Sequence, residues 1–306
     1  GVELLEVGHV NWWLRDIGPS FVQSEGGKVQ GVTWEFHGYA APGRNRGRRE
    51  WYGQYRHPDA AWREGCDLDV ALPGALAERF GAPVTGATGL AFEGGAVVCD
   101  GEGTGIVVEE IVRRTGAVSR EDLEARLRER LGLEKVLWLP HGLTPSGEGS
   151  NSHADMVAAF CGPGQLLLAA APYDDYPEAE RLRANFEALR GETDARGRPL
   201  EVVSLPCAEV DWIERSTSRR NIEMGSWYGQ SLERTYANLI FARGAVLVPQ
   251  FGDAQRDRAA LEAVQEACSR GGPELQELEV VPVPLRAISR LGGGIRCLSL
   301  PVPHQA

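Results

Sequence analysis

SHADMVAAFCGPGQLLLAAA, Ser152 to Ala171, sets a polar opening before two apolar runs that a glycine-rich turn separates. Each run has the length of a strand, and Cys161-Gly162-Pro163-Gly164 between them reads as a hairpin connection. The pattern recurs. YANLIFA-RG-AVLVPQF (236–251), EGGAVVC-DGEG-TGIVVEE (93–110) and RDIGPSFVQ-SEGG-KVQGVTW (15–34) have the same order of polar opening, strand, glycine turn and strand.

Three helices are predicted between the hairpins. Ser119-Arg-Glu-Asp122 can cap a helix whose Leu123, Leu127 and Leu131 form one stripe, with Gly132 ending it. Asp175 and Pro177 open a second, carrying Leu182, Phe186 and Leu189 at helical spacing. A third runs from about Arg256 to a stop at Gly271, with Leu261, Val264 and Cys268 on one face, so Cys268 reads as core. A shorter helix is expected over Leu72 to Phe80. After the three main helices come the apolar strands VLWLP, EVVSLP and LEVVPVP.

The order hairpin, helix, strand makes a ββαβ module, and its polar openers are Asp16, Glu93, His153 with Asp155, Asn238 and finally Cys297, recurring every ~60–85 residues. If modules repeat about a central axis, these residues share one edge and converge. The fifth hairpin is incomplete, because CLSLPVPHQA ends without a glycine turn and a returning strand. The chain opens on Gly1, inside what reads as a strand, so an upstream portion is expected to be missing; without its strand the ring keeps an open edge.

Composition bounds the chemistry. The 306 residues are 42% hydrophobic and 25% charged, enough for a sizeable core. No apolar run reaches the ~18 residues that cross a bilayer, and GVELLEVGHV lacks the basic and apolar regions of a secretion signal. A net charge of -11 argues against nucleic acid or an anionic membrane as partner and favours a cationic small molecule. The six cysteines (66, 99, 161, 207, 268 and 297) stand singly, with neither zinc-like spacing nor a disulfide framework. A reducing cytoplasm fits them.

Were Cys297, His153, Asp16, Asp155 and Glu93 to meet, they would suit a planar cation attacked at carbon. A carboxylate accepts the fixed fork of a guanidinium bidentately, so Asp16 and Asp155 would orient it and neutralise it. The Cys297 thiolate, favoured by neighbouring positive charge, would attack the central carbon. His153 would protonate departing ammonia and then activate the hydrolytic water, with Glu93 holding its other nitrogen.

The stretches NWWLRDIGPSFV, FEGGAVVCDGEGT, LEKVLWLPHGL, SHADMVAAF, YANLIFARGAVLVPQFGD and LGGGIRCLSLP occur in this order over nearly the whole chain. Together they resemble the agmatine deiminases of the guanidino-modifying superfamily, relatives of the bacterial-type peptidylarginine deiminases. That resemblance implies one α/β domain over residues 1–306, a pseudo-fivefold propeller of ββαβ modules. Its first module would be incomplete. It also implies hydrolysis of agmatine to N-carbamoylputrescine and ammonia through a cysteine thiouronium, with no cofactor and no metal. By motif, Cys297 is nucleophile, His153 and Glu93 move protons, and Asp16 and Asp155 hold substrate. Departures surround the site. Ser150-Asn151-Ser152 replaces the usual threonine-aspartate-glycine, and Gly294-Ile295-Arg296 the usual asparagine-isoleucine-histidine.

Each residue also has a bland reading. Cys297 alone would be a buried thiol, Asp16 an ion pair with Arg15, and Glu93 the start of a turn. His153 and Asp155 would be half a metal pair, but no third ligand has suitable spacing. Trp12 and Trp13 read as the start of a strand with at least one ring in the core; Trp13 is the candidate to line a substrate channel. Gly294 reads as a close backbone approach beside the thiol and the substrate. The arginine- and aromatic-rich stretch 43–63 reads as a solvated loop or a lid. Deimination of free or peptidyl-arginine, with Arg296 meeting a carboxylate, is the rival activity, and a silent homologue the rival class. A homodimer is expected.

Overall fold

The computed structural model describes residues 4–8, 11–24, 26–36, 61–86, 90–117, 119–143, 152–208, 235–286, 288–291 and 293–303. The 43–63 stretch falls almost wholly outside them, as do Ser150 and Asn151. Among the described residues are twelve strands in four sheets of three.

All four hairpins lie where the glycine turns set them. They are β1 (Ser20–Gln23) with β2 (Val29–Thr33), β4 (Val97–Cys99) with β5 (Thr104–Val108), β7 (Ala158–Gly162) with β8 (Gln165–Ala170), and β10 (Ile240–Ala242) with β11 (Ala245–Gln250). Each pair is antiparallel. A third strand then joins the second in parallel register: β3 (Val84–Gly86), β6 (Lys135–Leu139), β9 (Glu201–Pro206) and β12 (Glu279–Pro284). Parallel pairing needs a crossover, and in each module a helix supplies it.

The crossover helices are α2 (Ala61–Arg79), α3 (Arg120–Leu131), α4 (Ala179–Ala188) and α5 (Ala254–Arg270), and a short α1 (Leu14–Ile17) precedes β1. The α3 helix starts and stops on its expected caps, the Ser119 side chain accepting from Asp122 N and Gly132 adopting φ 68°. Its Leu123 and Leu127 are fully buried, each side chain worth about 1.5–3 kcal/mol.

Four expectations need correction. Helix α2 is much longer than Leu72–Phe80 and carries Pro73 in its interior, where the missing N–H leaves one intrahelical bond unmade. Helix α4 begins at Ala179, after Pro177. Trp12 and Trp13 start no strand but lead into α1. The Cys297 segment forms a turn, not the opening strand of a fifth hairpin.

Apolar clusters join successive modules. Val32 and Trp34 pack with Phe92, Leu123 and Leu127; Ile106 and Leu137 with Leu166 and Leu182; Leu167 and Leu205 with Val246 and Val264. Helix α5 packs on β9 of the preceding module. The described ends meet as well, Arg15 N donating to Cys297 O at 3.0 Å. No described helix is long and apolar enough to cross a membrane.

Candidate active site

The polar openers of the four sheets each sit just before the first strand of their module. Asp16 lies in α1, Glu93 precedes the 3-10 turn Gly94–Ala96, His153 precedes and Asp155 lies within the turn Ala154–Met156, and Asn238 stands two residues before β10. Cys297 lies in the turn at 295–298. Asp16, Glu93, His153, Asp155, Asn238 and Cys297 are all buried.

The imidazole of His153 is flanked by two carboxylates. Its Nε2 is 3.5 Å from Glu93 Oε2 and its Nδ1 is 3.7 Å from Asp16 Oδ1. Asp16 Oδ1 also accepts Gly95 N at 3.0 Å, which fixes the carboxylate to the second module. A Cβ on Gly95 would lie 2.7 Å from His153 Nδ1, 2.9 Å from Asp16 Oδ1 and 3.1 Å from Asp155 Oδ2, so these three groups surround one backbone position. Only glycine leaves room for them.

Asp155 is fully buried, and neither of its oxygens has a hydrogen-bond partner among the described residues. Burial pushes this carboxyl above its ordinary range, against the pull of the His153, Arg296 and Arg15 charges. Asn238 lies close by and helps to lower this carboxyl, but its Nδ2 is directed at Cys297 Sγ (3.2 Å) and the main-chain oxygen of Asp155 (3.5 Å), so neither carboxylate oxygen gains a well-formed hydrogen bond. A buried acceptor without a donor is costly, and a cation bearing N–H groups would satisfy it.

Cys297 Sγ is 3.2 Å from Asn238 Nδ2, while Asn238 Oδ1 accepts Arg296 N at 2.9 Å and Cys297 N at 3.3 Å. Gly294 makes a close approach, and its neighbour is Asn238: a Cβ there would collide with Oδ1. Trp13 is buried with its indole against Gly293.

Two arginines complete the site. Arg15 donates through Nε to Arg296 O and through Nη2 to Ser299 Oγ. Burial and then repulsion from Arg296 bring it down to about 10, offset by Asp155, Cys297 and Asp16, so it stays protonated at neutral pH. Arg296 Nε lies 3.8 Å from Asp155 Oδ2. The sequence offers Arg15 only as an ion-pair partner of Asp16 and Arg296 as a partner for a substrate carboxylate, since half-buried and solvated arginines look alike in a sequence. Asn238 was visible only as a polar opener. No described cluster of three or more His, Cys, Asp or Glu could hold a metal ion.

The arrangement can bind a flat cation on carboxylates, present a sulfur beside it and exchange protons through an imidazole. Known proteins resemble the chain over nearly its whole length. An agmatine deiminase of Pseudomonas syringae pv. syringae is 31% identical over 320 residues, covering 99% of this chain and 78% of that one. The crystal structure of the agmatine deiminase of Enterococcus faecalis superposes with a TM-score of 0.78 at 28% identity, over 96% of this chain and 75% of that chain. The agmatine deiminase of C. jejuni, at 18% identity, shares the fold with a TM-score of 0.66 over 94% of this chain and 70% of that chain. The profile of the Porphyromonas-type peptidyl-arginine deiminases matches residues 2–303. The chain, a mixed α/β protein of the same fold, belongs to the Porphyromonas-type peptidyl-arginine deiminase family, hydrolases that act on C–N bonds.

Proposed function

We propose that this protein hydrolyses agmatine to N-carbamoylputrescine and ammonia. The observation that carries the reading is the buried carboxylate of Asp155, without a geometric partner, beside Asp16 and His153, with Glu93 on the imidazole and Cys297 reached through the Asn238 amide. In this reading Asp155 and Asp16 receive the guanidinium N–H groups. Cys297 Sγ attacks the guanidinium carbon, and His153 gives a proton to the nitrogen that leaves as ammonia. The S-amidino intermediate is then attacked by a water whose proton His153 takes, so that agmatine and water become the ureido product and ammonia with the thiol restored. Glu93 orients the imidazole and stabilises its protonated form. The scheme calls on neither metal nor organic cofactor.

Architecturally, we read the chain as one domain, a propeller of ββαβ blades around this site. Four such modules in order, and the main-chain bond from Arg15 to Cys297 that joins the described ends, support it.

Arg296 does not favour arginine as substrate. It stands beside Asp155, the carboxylate that this reading gives to the substrate head group. The carboxylate of an extended arginine lies roughly 7 Å from its guanidinium carbon.

Ammonia release from agmatine, free arginine and a peptidyl-arginine tests the reading, with Cys297→Ser and Asp155→Asn as comparators. Release from agmatine foremost, abolished in both variants, is expected. Preference for either arginine would overturn the substrate assignment, and undiminished release by Cys297→Ser the mechanism. No release from any guanidine would make the chain a silent homologue.

A further inference from the structure

Asn238 meets the Cys297 turn through both ends of its amide, its Nδ2 at 3.2 Å from Sγ and its Oδ1 farther from it, at 3.6 Å. Its Oδ1 accepts two consecutive main-chain N–H groups, from Arg296 and Cys297. Those donors settle which way the amide faces, because a flipped amide would set N–H against N–H. The NH2 group is therefore turned to Cys297 Sγ at 3.2 Å, with Asp155 O at 3.5 Å and Met156 Sδ at 3.6 Å as weaker alternatives. Asn238 is fully buried, and the Gly294 backbone comes so close that a Cβ there would collide with Oδ1.

An N–H aimed at sulfur favours the anion, as a hydrogen bond to any charged form does. We propose that Asn238 is a positioning residue with two functions, its carbonyl oxygen holding the Cys297 turn and its amide N–H holding the sulfur as thiolate. The proposal rests on the reading of Cys297 as nucleophile. Arg15 acts on this thiol electrostatically and Arg296 precedes it in the turn; Asp155 shares the Asn238 amide with it through its main-chain oxygen, and Asp16, His153 and Glu93 complete the titratable groups of the site. Arg15 and Arg296 favour the thiolate and the ionised carboxylates oppose it. Asn238 adds a neutral donor that works at any charge state of the rest.

The two functions separate by substitution. Asn238→Asp keeps an oxygen for the Arg296 and Cys297 N–H groups but sets a carboxylate against the sulfur. Asn238→Ala removes both. The readout is the rate of Cys297 alkylation by iodoacetamide against pH, followed by mass spectrometry of the peptide that carries it. In Asn238→Asp the midpoint should rise by about one pH unit or more. Its KM for agmatine should stay near the wild-type value while kcat falls, and its melting temperature should drop as a further carboxylate is buried. In Asn238→Ala the midpoint should rise less and the melting temperature should drop. Alkylation curves that coincide with wild type in both variants would overturn the proposal. Because alkylation reads the thiol directly, the result stands apart from turnover. If Cys297→Ser still releases ammonia, the nucleophile reading has failed, whatever the Asn238 curves show.

Discussion

Arg296 Nε stands 3.8 Å from Asp155 Oδ2, and neither atom has a hydrogen-bond partner among the described residues. A partly exposed guanidinium and a buried carboxylate are thus near enough to attract and too far apart to bond, which leaves the desolvation of Asp155 largely uncompensated. In the proposed function this guanidinium competes with that of the substrate for one carboxylate. Arg296→Gln keeps the length and removes the charge. Agmatine KM should then fall about fivefold, corresponding to about 1 kcal/mol. Steady-state kinetics check this, and a higher KM would mean that Arg296 binds substrate.

Asp155 links activity to stability with opposite signs. Its ordinary value is 3.8, and burial raises it, outweighing the attraction of His153, Arg296 and Arg15. The native state therefore holds this proton more tightly than the unfolded chain does, so stability falls as pH rises from about 4 through the raised value, and stays lower above it. Asp155→Asn should melt about 2–4 °C above wild type at pH 8, a gap that closes near pH 4, and should release no ammonia. For wild type, kcat/KM should decline on the acid side at a pH above the ordinary carboxylate range, because only the ionised carboxylate grips a cation. Melting curves and pH profiles of the two proteins check both.

Hairpins were legible because each is specified locally, by strand-length apolar runs and a turn holding Gly27, Gly103, Gly164 or Gly244 at positive φ. The α3 helix was legible for the same reason, with both caps in its own sequence. Where distant partners decide, the reading failed. The Trp12-Trp13 segment enters a helix of one turn whose Arg15 N bonds to Cys297 O, a partner 282 positions away. Cys297 turns instead of extending because the Asn238 side chain takes its N–H and that of Arg296. The candidate site residues stood out by their repeated place before a strand. Arg15 and Arg296 did not, since only burial distinguishes them from surface cations.

The start of α5 is a cap that sequence reading placed too late. Asp253 accepts Gln255 N at 3.2 Å and Arg256 N at 3.1 Å, and pairs with Arg256 Nη1 at 2.6 Å. Burial is the largest single effect and raises this carboxyl, but the hydrogen bonds from Arg256 and Gln255 and the Arg256 charge together outweigh it and hold it below 3.8. The stabilisation is present above that value and is lost as pH falls through the depressed one. Asp253→Ala should cost about 1 kcal/mol at pH 7 and less at pH 3, measured by chemical denaturation.

Gly95 is where the site tolerates no side chain at all. A methyl there would press on His153 Nδ1, Asp16 Oδ1 and Asp155 Oδ2 together, at 2.7, 2.9 and 3.1 Å. Real Cβ atoms do not come so close to such neighbours, so imidazole and carboxylates must move apart. Displacements near 1 Å at a reacting centre cost about 100-fold in rate. Gly95→Ala should therefore lose at least that factor in kcat/KM for agmatine. Gly74 gives the contrast, since it is exposed in the interior of α2 and an added Cβ meets nothing within 4 Å. Gly74→Ala should keep full activity and gain about 0.5–1 kcal/mol, as alanine does over glycine in a helix. Parallel ammonia assays and denaturation curves on the two variants decide the matter. Wild-type activity in Gly95→Ala would place the reacting groups elsewhere.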